Sequence, residues 1–375
     1  MLKQQSIEKI EQFITNFYQD ISKCNLNKWN YEDGCILLAA IQLYEVTGVE
    51  RYRDFVLEFL NEYITPQGEI KNYNRENYKL DDIAPGRALI FAYEQTGEEC
   101  YRKAIDVLLK QLEEQPRIKE GNFWHKKIYP NQVWLDGLFM ALPFYMACDT
   151  KLGKNEHYVD ICKQYQLVVD KMFDKEKELF YHGYDESKEV FWADKESGCS
   201  ANFWLRAIGW FLVGCVDTME EMDRKLYDDF RQLADIYKQG IRGVLKYRDA
   251  ESGLFYQVVD GAAIDGNYLE TSGSAMIAAS ILKACRLKVL LREKYQEIGE
   301  GILENIIEQK LQEVEGVLTL KDNCSVAGLG PEGDTGRDGS VAYYLSEKVI
   351  SNDKKGMAAL FMAYAQYLKL KEATV

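Results

Sequence analysis

Two stretches, LYEVTGVERYRDFVLEFL at residues 43–60 and AYEQTGEECYRKAIDVLLKQL at residues 92–112, align with one another and decide the architecture. Each runs from the end of an apolar segment through a Thr-Gly break into a charged segment that keeps one apolar face, as in ERYRDFVLEFL. Glycine at the end of an apolar run is a helix stop, and the periodicity beyond it is that of an amphipathic helix. The match is an internal repeat of one helical hairpin.

The apolar core that opens the repeat recurs. CILLAAIQLYEVTG from Cys35 and ALIFAYEQTG from Ala88 are followed by LFMALPFYMACDTKLG from Leu138, GWFLVGCVDTM from Gly209, SAMIAASILKACRLKV from Ser274 and KGMAALFMAYAQYL from Lys355. These helices are apolar nearly all round, as enclosed helices are, whereas the helix expected after each has one wet face. Six hairpins of inner and outer helices predict an all-α ring, and closure hides the two ends that an open solenoid would have to cap. The six prolines are scattered and mark no linker, so one domain over residues 1–375 is expected.

The unequal spacing of the repeats comes from long segments ahead of the inner helices, such as KEGNFWHKKIYPNQ, YHGYDESKEVFWADKESGCSANF and VVDGAAIDGNYLETSGS. Loops of this kind gather at one rim of a ring, where binding residues usually sit. Their aromatic-glycine pairs predict short β-ribbons.

Composition narrows the functions available. A net charge of -14 excludes a nucleic-acid partner, which needs a basic footprint, and an acidic ligand would need a locally positive pocket. Nine cysteines, an odd number without a CxxC pair, read as reduced core thiols. The first residues, MLKQQSIEKIEQFITNFY, form an amphipathic pattern, and no apolar run reaches membrane-spanning length, so a soluble cytoplasmic protein with no membrane partner is expected. No HxxxH, HxH or Cys/His spacing supports a metal site. Nothing in the sequence specifies an oligomeric state.

Candidate chemistry concentrates at the rim. In NQVWLDGLFMALPF, Asp136 falls in the first turn of an inner helix, where it is either a plain cap or an acid poised between apolar neighbours Trp134, Leu135 and Phe139 and the helix dipole. KLDDIAPGRALIF sets Asp81 and Asp82 before the second inner helix, one as an expected cap and the other facing Asp136. His182, in the Gly- and Tyr-containing FYHGYDE loop, is weighed evenly between function and structure; His125 and His157 rank below it. NFWLRAIGW places Trp204, Arg206 and Trp210 at the start of the fourth inner helix, with Arg206 and Trp210 on one face. An arginine among tryptophans needs an anion, either a sugar carboxylate or a local acid. Trp124, Lys126 and Lys127 lie just ahead of Asp136, and all tryptophans but Trp29 fall in these segments, which describes an aromatic-lined pocket.

LDDIAPG, WLDGLFMALPF, FYHGYDE, NFWLRAIGW, YLETSGSAM and RDGSVAYYLSE with NDKKG occur in this order over nearly the whole chain, which closely resembles glycoside hydrolase family 105, the unsaturated rhamnogalacturonyl hydrolases. The resemblance implies an (α/α)6 barrel acting on a small acidic unsaturated oligosaccharide, in which 4,5-unsaturated galacturonic acid is linked to rhamnose. It further implies hydration of the enol-ether double bond with no metal or organic cofactor. Asp136 would protonate C4 and then deprotonate the water that attacks C5, and Asp81 would hold that water or the ring hydroxyls. His182, Trp204, Arg206 and Trp210 match positions that bind the unsaturated uronate, and Lys126 belongs with them. Leu205 and Ala207 replace residues that are commonly small in the family, which predicts a tighter pocket. GPEGDTGRDGS also departs from the family pattern and leaves Arg337 and Asp338 without an implied role.

Three alternatives remain at this point. An unsaturated glucuronyl hydrolase would share barrel and chemistry but act on glycosaminoglycan-type disaccharides. A cofactor-free epimerase would use paired histidines, which are scattered here. A helical-repeat binding protein would use the rim aromatics for a peptide.

Overall fold

A computed structural model describes residues 1–153, 156–331 and 333–372. After α1 (Gln4–Tyr18), the chain alternates α2 (Tyr31–Thr47) with α3 (Glu50–Tyr63), α4 (Gly86–Thr96) with α5 (Glu99–Glu114), α6 (Leu135–Lys151) with α7 (Tyr158–Met172), α8 (Leu205–Glu221) with α9 (Tyr227–Leu245) and α10 (Thr271–Arg286) with α11 (Arg292–Gln309). The short α12 (Val341–Ser346) precedes α13 (Lys354–Glu372). The even-numbered helices from α2 to α10, together with α13, pack side by side in a closed ring, α13 returning to α2. The architecture is an (α/α)6 barrel.

Both Thr-Gly breaks behave as the repeat predicts. Gly48 and Gly97 adopt left-handed φ values of 65° and 69°, and each donates its N–H to a tyrosine carbonyl, Tyr44 or Tyr93, at 2.8 Å. A side chain at either position would be strained, so the glycines stop α2 and α4 and let α3 and α5 turn back.

The sixth hairpin differs from expectation. Among the described residues no outer helix follows α13; α1 takes that place, packing between α11 and α3. Phe13 meets Phe361 edge-on at 5.6 Å, and Tyr364 Oη donates to Glu11 at 2.6 Å. The two ends of the chain therefore form one hairpin, and the seam of the ring lies there.

The inner helices are not apolar throughout. Toward the far ends of α8 and α10, Asp217 pairs with Lys283 and with Arg87 from the first turn of α4, each at 2.6 Å, and Lys283 also holds Glu220 at 2.6 Å. Arg286 binds Glu220 and donates to Gln366 at 2.9 Å, and Gln366 donates to Gln42 at 2.9 Å. Each charge has an opposite partner, which is what permits its burial inside the ring.

At the other rim lie four antiparallel two-stranded ribbons. β1 (Gln132–Trp134) pairs with β4 (Gly183–Asp185), β2 (Phe173–Asp174) with β3 (Leu179–Phe180), β5 (Leu311–Val314) with β6 (Val317–Leu320), and β7 (Asn323–Cys324) with β8 (Val349–Ile350). In the first ribbon Trp134 faces Gly183, which sets His182 beside the head of α6. All nine cysteines are free, and all but Cys100 are buried. Among the described residues, no helix is long and apolar enough to cross a membrane.

Candidate active site

Asp136 occupies the second position of α6, whose preceding residue, Trp134, gives no side-chain cap. Its carboxylate accepts no backbone hydrogen bond among the described residues, so the plain-cap reading does not hold. Oδ2 is sealed from solvent and lies 3.3 Å from His182 Nε2, in a geometry short of a hydrogen bond. The side chain keeps 12% exposure, which reaches it from the Oδ1 side. His182 is fully buried, accepts the Leu135 N–H on its carbonyl at 3.1 Å, and contacts Tyr344 Oη through Nδ1 at 2.8 Å.

Asp81 and Asp82 lie in a 3-10 turn, Leu80–Asp82, and neither caps α4, which begins beyond Pro85. Asp81 Oδ2 meets Lys126 Nζ at 2.6 Å, and His125 Nε2 is 3.5 Å from Oδ1. Burial pushes the Asp81 carboxyl up, but the adjacent Lys126 ammonium more than reverses this and holds it below its usual value. Asp82 has only the more distant Lys79, at 3.3 Å, and burial pushes its carboxyl up to about 6. Lys126 therefore spends its charge on Asp81 rather than standing free for a ligand.

Trp204 ends the loop before α8 in an extended conformation, so its spacing from Arg206 is not helical. The Arg206 guanidinium lies 5.0 Å from the Trp204 ring, whereas Trp210 packs on Phe139 at 4.5 Å and on Tyr31 at 6.3 Å. Arg206 and Trp210, four residues apart on α8, share one face as expected, and Arg206 also packs on Trp204. Arg206 is 1% exposed; it donates to the carbonyls of Cys324 and Ser325 and to Ser272 Oγ, with Asp353 at 3.9 Å. Its terminal nitrogens are held by β7, the residue after it, and the head of α10, whereas Nε is buried without a hydrogen-bond partner among the described residues.

Three residues of the site were not read from sequence or were ranked low. His125 stacks on Trp134 at 4.4 Å, the same ring that meets His182 in a T-shaped contact at 5.5 Å, and burial holds the His125 imidazole down at about 4. Two of the scattered histidines thus converge around one tryptophan. Tyr31, at the head of α2, is within electrostatic range of Asp81, Arg206 and Asp136, and its hydroxyl has no hydrogen-bond partner among the described residues. Burial and the nearby carboxylates, Glu32 first, hold the phenol well above its usual value, leaving a neutral donor. Tyr344 reaches His182 from α12. The Gly-rich helix starts were visible in sequence, but a tyrosine at helix position one carries no signal among 25 tyrosines.

Other candidates lie apart or serve locally. Lys127 donates to the Glu76 carbonyl at 3.3 Å, and His157 binds Asp149 at 3.1 Å ahead of α7. Leu205 and Ala207 are fully buried, and Leu205 fills the space beside Gly273 of α10, so they pack helices instead of narrowing the pocket. Asp338 accepts the Ser340 N–H at 2.8 Å, and Arg337 lies 3.7 Å from Asp334. Within GPEGDTGRDGS, Glu332 lies outside the described residues.

The rim carboxylates sort by partner. Asp81, Asp82, Asp33, Glu32 and Asp353 each face a lysine, and Glu270 accepts the N–H groups of Ser272, Gly273 and Cys324. Asp136 has only a histidine beside one oxygen. An uncommitted carboxylate beside an ordered wall of aromatic rings is suited to proton transfer on a ring-shaped ligand.

Comparison with known proteins agrees with this arrangement. The sequence model of Glycosyl Hydrolase Family 88 matches residues 6–371. A solved glycoside hydrolase from family 105 of C. acetobutylicum ATCC 824 is 36% identical, covering 97% of this chain and 99% of its own, with a TM-score of 0.90. The unsaturated rhamnogalacturonyl hydrolase YesR of Bacillus subtilis strain 168 is 22% identical over 69% of this chain and 72% of its own length. The unsaturated glucuronyl hydrolase of Bacillus sp. GL1 shares the fold, with a TM-score of 0.68 at 14% identity over 99% and 97% of the two chains. With its ring of paired helices matched over nearly its whole length, the chain belongs to the glycoside hydrolase family 88 and 105 group and is a glycosidase.

Proposed function

We propose that the protein releases 4,5-unsaturated galacturonic acid from short rhamnogalacturonan fragments by hydrating the enol ether. The single observation that carries this reading is the isolation of Asp136 among partnered carboxylates. A displacement at the anomeric carbon needs two carboxylates, one as acid and one as base or nucleophile. Asp81, the other candidate, is committed to an ion pair with Lys126 at 2.6 Å. Hydration needs one group that gives a proton and takes one back.

In this scheme Asp136 Oδ1 delivers a proton to C4, the C4–C5 π pair forms the new C–H bond, and the positive charge at C5 is shared with the ring oxygen. Water adds to C5 and returns a proton to Asp136. The C5 hemiketal opens by breaking its bond to the ring oxygen, and the resulting hemiacetal at C1 expels rhamnose as an alcohol. Asp81 orients water or ring hydroxyls, and the buried Trp204, Arg206 and Trp210 form the wall behind the sugar, Arg206 supplying positive field. The likeness to YesR supports rhamnose as the leaving sugar. Free cysteines, mostly buried, support a cytoplasmic setting.

The test follows the near-ultraviolet absorbance of the conjugated double bond in lyase-digested rhamnogalacturonan, with deuterium oxide as solvent. Loss of absorbance with deuterium at C4 and abolition by Asp136→Asn is the expected result. Unchanged absorbance across pH would overturn the reading, and faster consumption of an unsaturated chondroitin disaccharide would move the substrate to the glycosaminoglycan class.

A further inference from the structure

Tyr344 is fully buried on α12, and its hydroxyl has one hydrogen-bond partner among the described residues, His182 Nδ1 at 2.8 Å. A buried phenol must place its proton on an acceptor, because an unbonded buried O–H costs about 1–3 kcal/mol. Nδ1 is the acceptor within reach. It therefore presents its lone pair to Tyr344, and the neutral imidazole carries its proton on Nε2, the nitrogen 3.3 Å from Asp136 Oδ2. The ring cannot swing away, since it packs on Trp204 at 4.8 Å and on Trp134 at 5.5 Å.

We propose, resting on the hydration chemistry above, that Tyr344 is a positioning residue that locks His182 as the Nε2–H tautomer and thereby reserves Asp136 Oδ2 as a hydrogen-bond acceptor. The transferable proton is left on Oδ1, the oxygen open to the cavity. As that proton moves to carbon, negative charge grows on the carboxylate, and the Nε2–H, 3.3 Å away, closes onto it with a small shift of either group. With the opposite tautomer, a lone pair would face Oδ2 and draw the acid proton to the sealed oxygen, where no substrate reaches it.

Other groups also act on Asp136. His125, Lys126, Tyr31 and Tyr344 itself lie within electrostatic range, from the loop before β1, from α2 and from α12. None of them offers a donor to Oδ2, which is why the tautomer of His182 is decisive.

The direct test needs no substrate. The chain has three histidines, so nitrogen-15 spectra of the free wild-type protein, with His182→Gln to assign the signal, read the tautomer. A proton on Nε2 with an accepting Nδ1 is expected; a proton on Nδ1 overturns the proposal whatever the activity. The second test is Tyr344→Phe, which keeps the ring packing. The donor at Oδ2 acts as charge develops on Asp136, so its loss falls on kcat and not on binding. We expect kcat to fall roughly tenfold and KM to stay within about twofold. A raised KM with kcat unchanged would show a packing role and overturn the proposal. Should Tyr344→Phe not fold, the wild-type spectra still decide. Absence of turnover on every unsaturated uronide would refute the functional reading and leave the tautomer measurement intact.

Discussion

Lys126 Nζ lies 2.6 Å from Asp81 Oδ2, and both side chains are largely buried. This pair separates the two carboxylates that the sequence placed together: Asp81 is fixed as an anion and Asp136 is left as the group free to exchange a proton. Removing one member of a buried pair strands the other. Lys126→Met is expected to cost on the order of 3 kcal/mol in stability and to raise the Asp81 carboxyl, since burial alone pushes it up. Adding Asp81→Asn to Lys126→Met should recover most of the stability and none of the activity. A denaturation cycle over the four proteins measures this, and an additive result would show that the pair is not coupled.

Much of this arrangement could be read from the chain. The Thr-Gly repeats gave the hairpins because left-handed glycine is a local requirement, and the apolar runs gave the inner ring because burial is a property of each helix by itself. The seam was not legible: α1 resembles any outer helix, and only closure assigns it to α13. At the site, Asp136 and His182 were found because charge in an apolar setting is conspicuous. The role of Arg206 was not, since its partners are main-chain carbonyls of Cys324 and Ser325, distant in sequence and invisible as residue types. Tyr31 was missed for the opposite reason, having no partner to predict.

Arg206 supports the wall through a planar fork, so lysine is not a conservative replacement. Arg206→Lys cannot satisfy two carbonyls and Ser272 at once and should lose about 2–3 kcal/mol of stability along with activity. Thermal unfolding beside kinetics checks the point. A variant with native stability and a raised KM alone would restore the direct anion clamp.

Tyr31 makes the reverse prediction. Its hydroxyl is bonded to nothing among the described residues, so Tyr31→Phe should change stability by less than about 0.5 kcal/mol. If the phenol donates to the bound sugar, kcat/KM should drop by about tenfold, the worth of one hydrogen bond. Kinetics equal to wild type would remove Tyr31 from the site.

The final prediction concerns acid stability and rests on two buried groups with opposite signs. His125 titrates near 4 in the folded protein against 6.5 ordinarily, so below pH 6.5 the unfolded chain takes up a proton that the folded one refuses. Stability from this group is full above 6.5 and is lost as pH falls toward 4, by about 3 kcal/mol. Asp82 titrates near 6 against 3.8, so over nearly the same window the folded protein binds the extra proton and gains a similar amount. The two slopes offset each other in the wild type. Asp82→Asn should expose the histidine alone, giving a denaturation midpoint that falls more steeply than wild type from pH 6.5 to 4.5, and His125→Gln should give the opposite tilt. Urea titrations at several pH values read the difference between variant and wild type; parallel curves for all three proteins would mean that neither group changes its titration on folding.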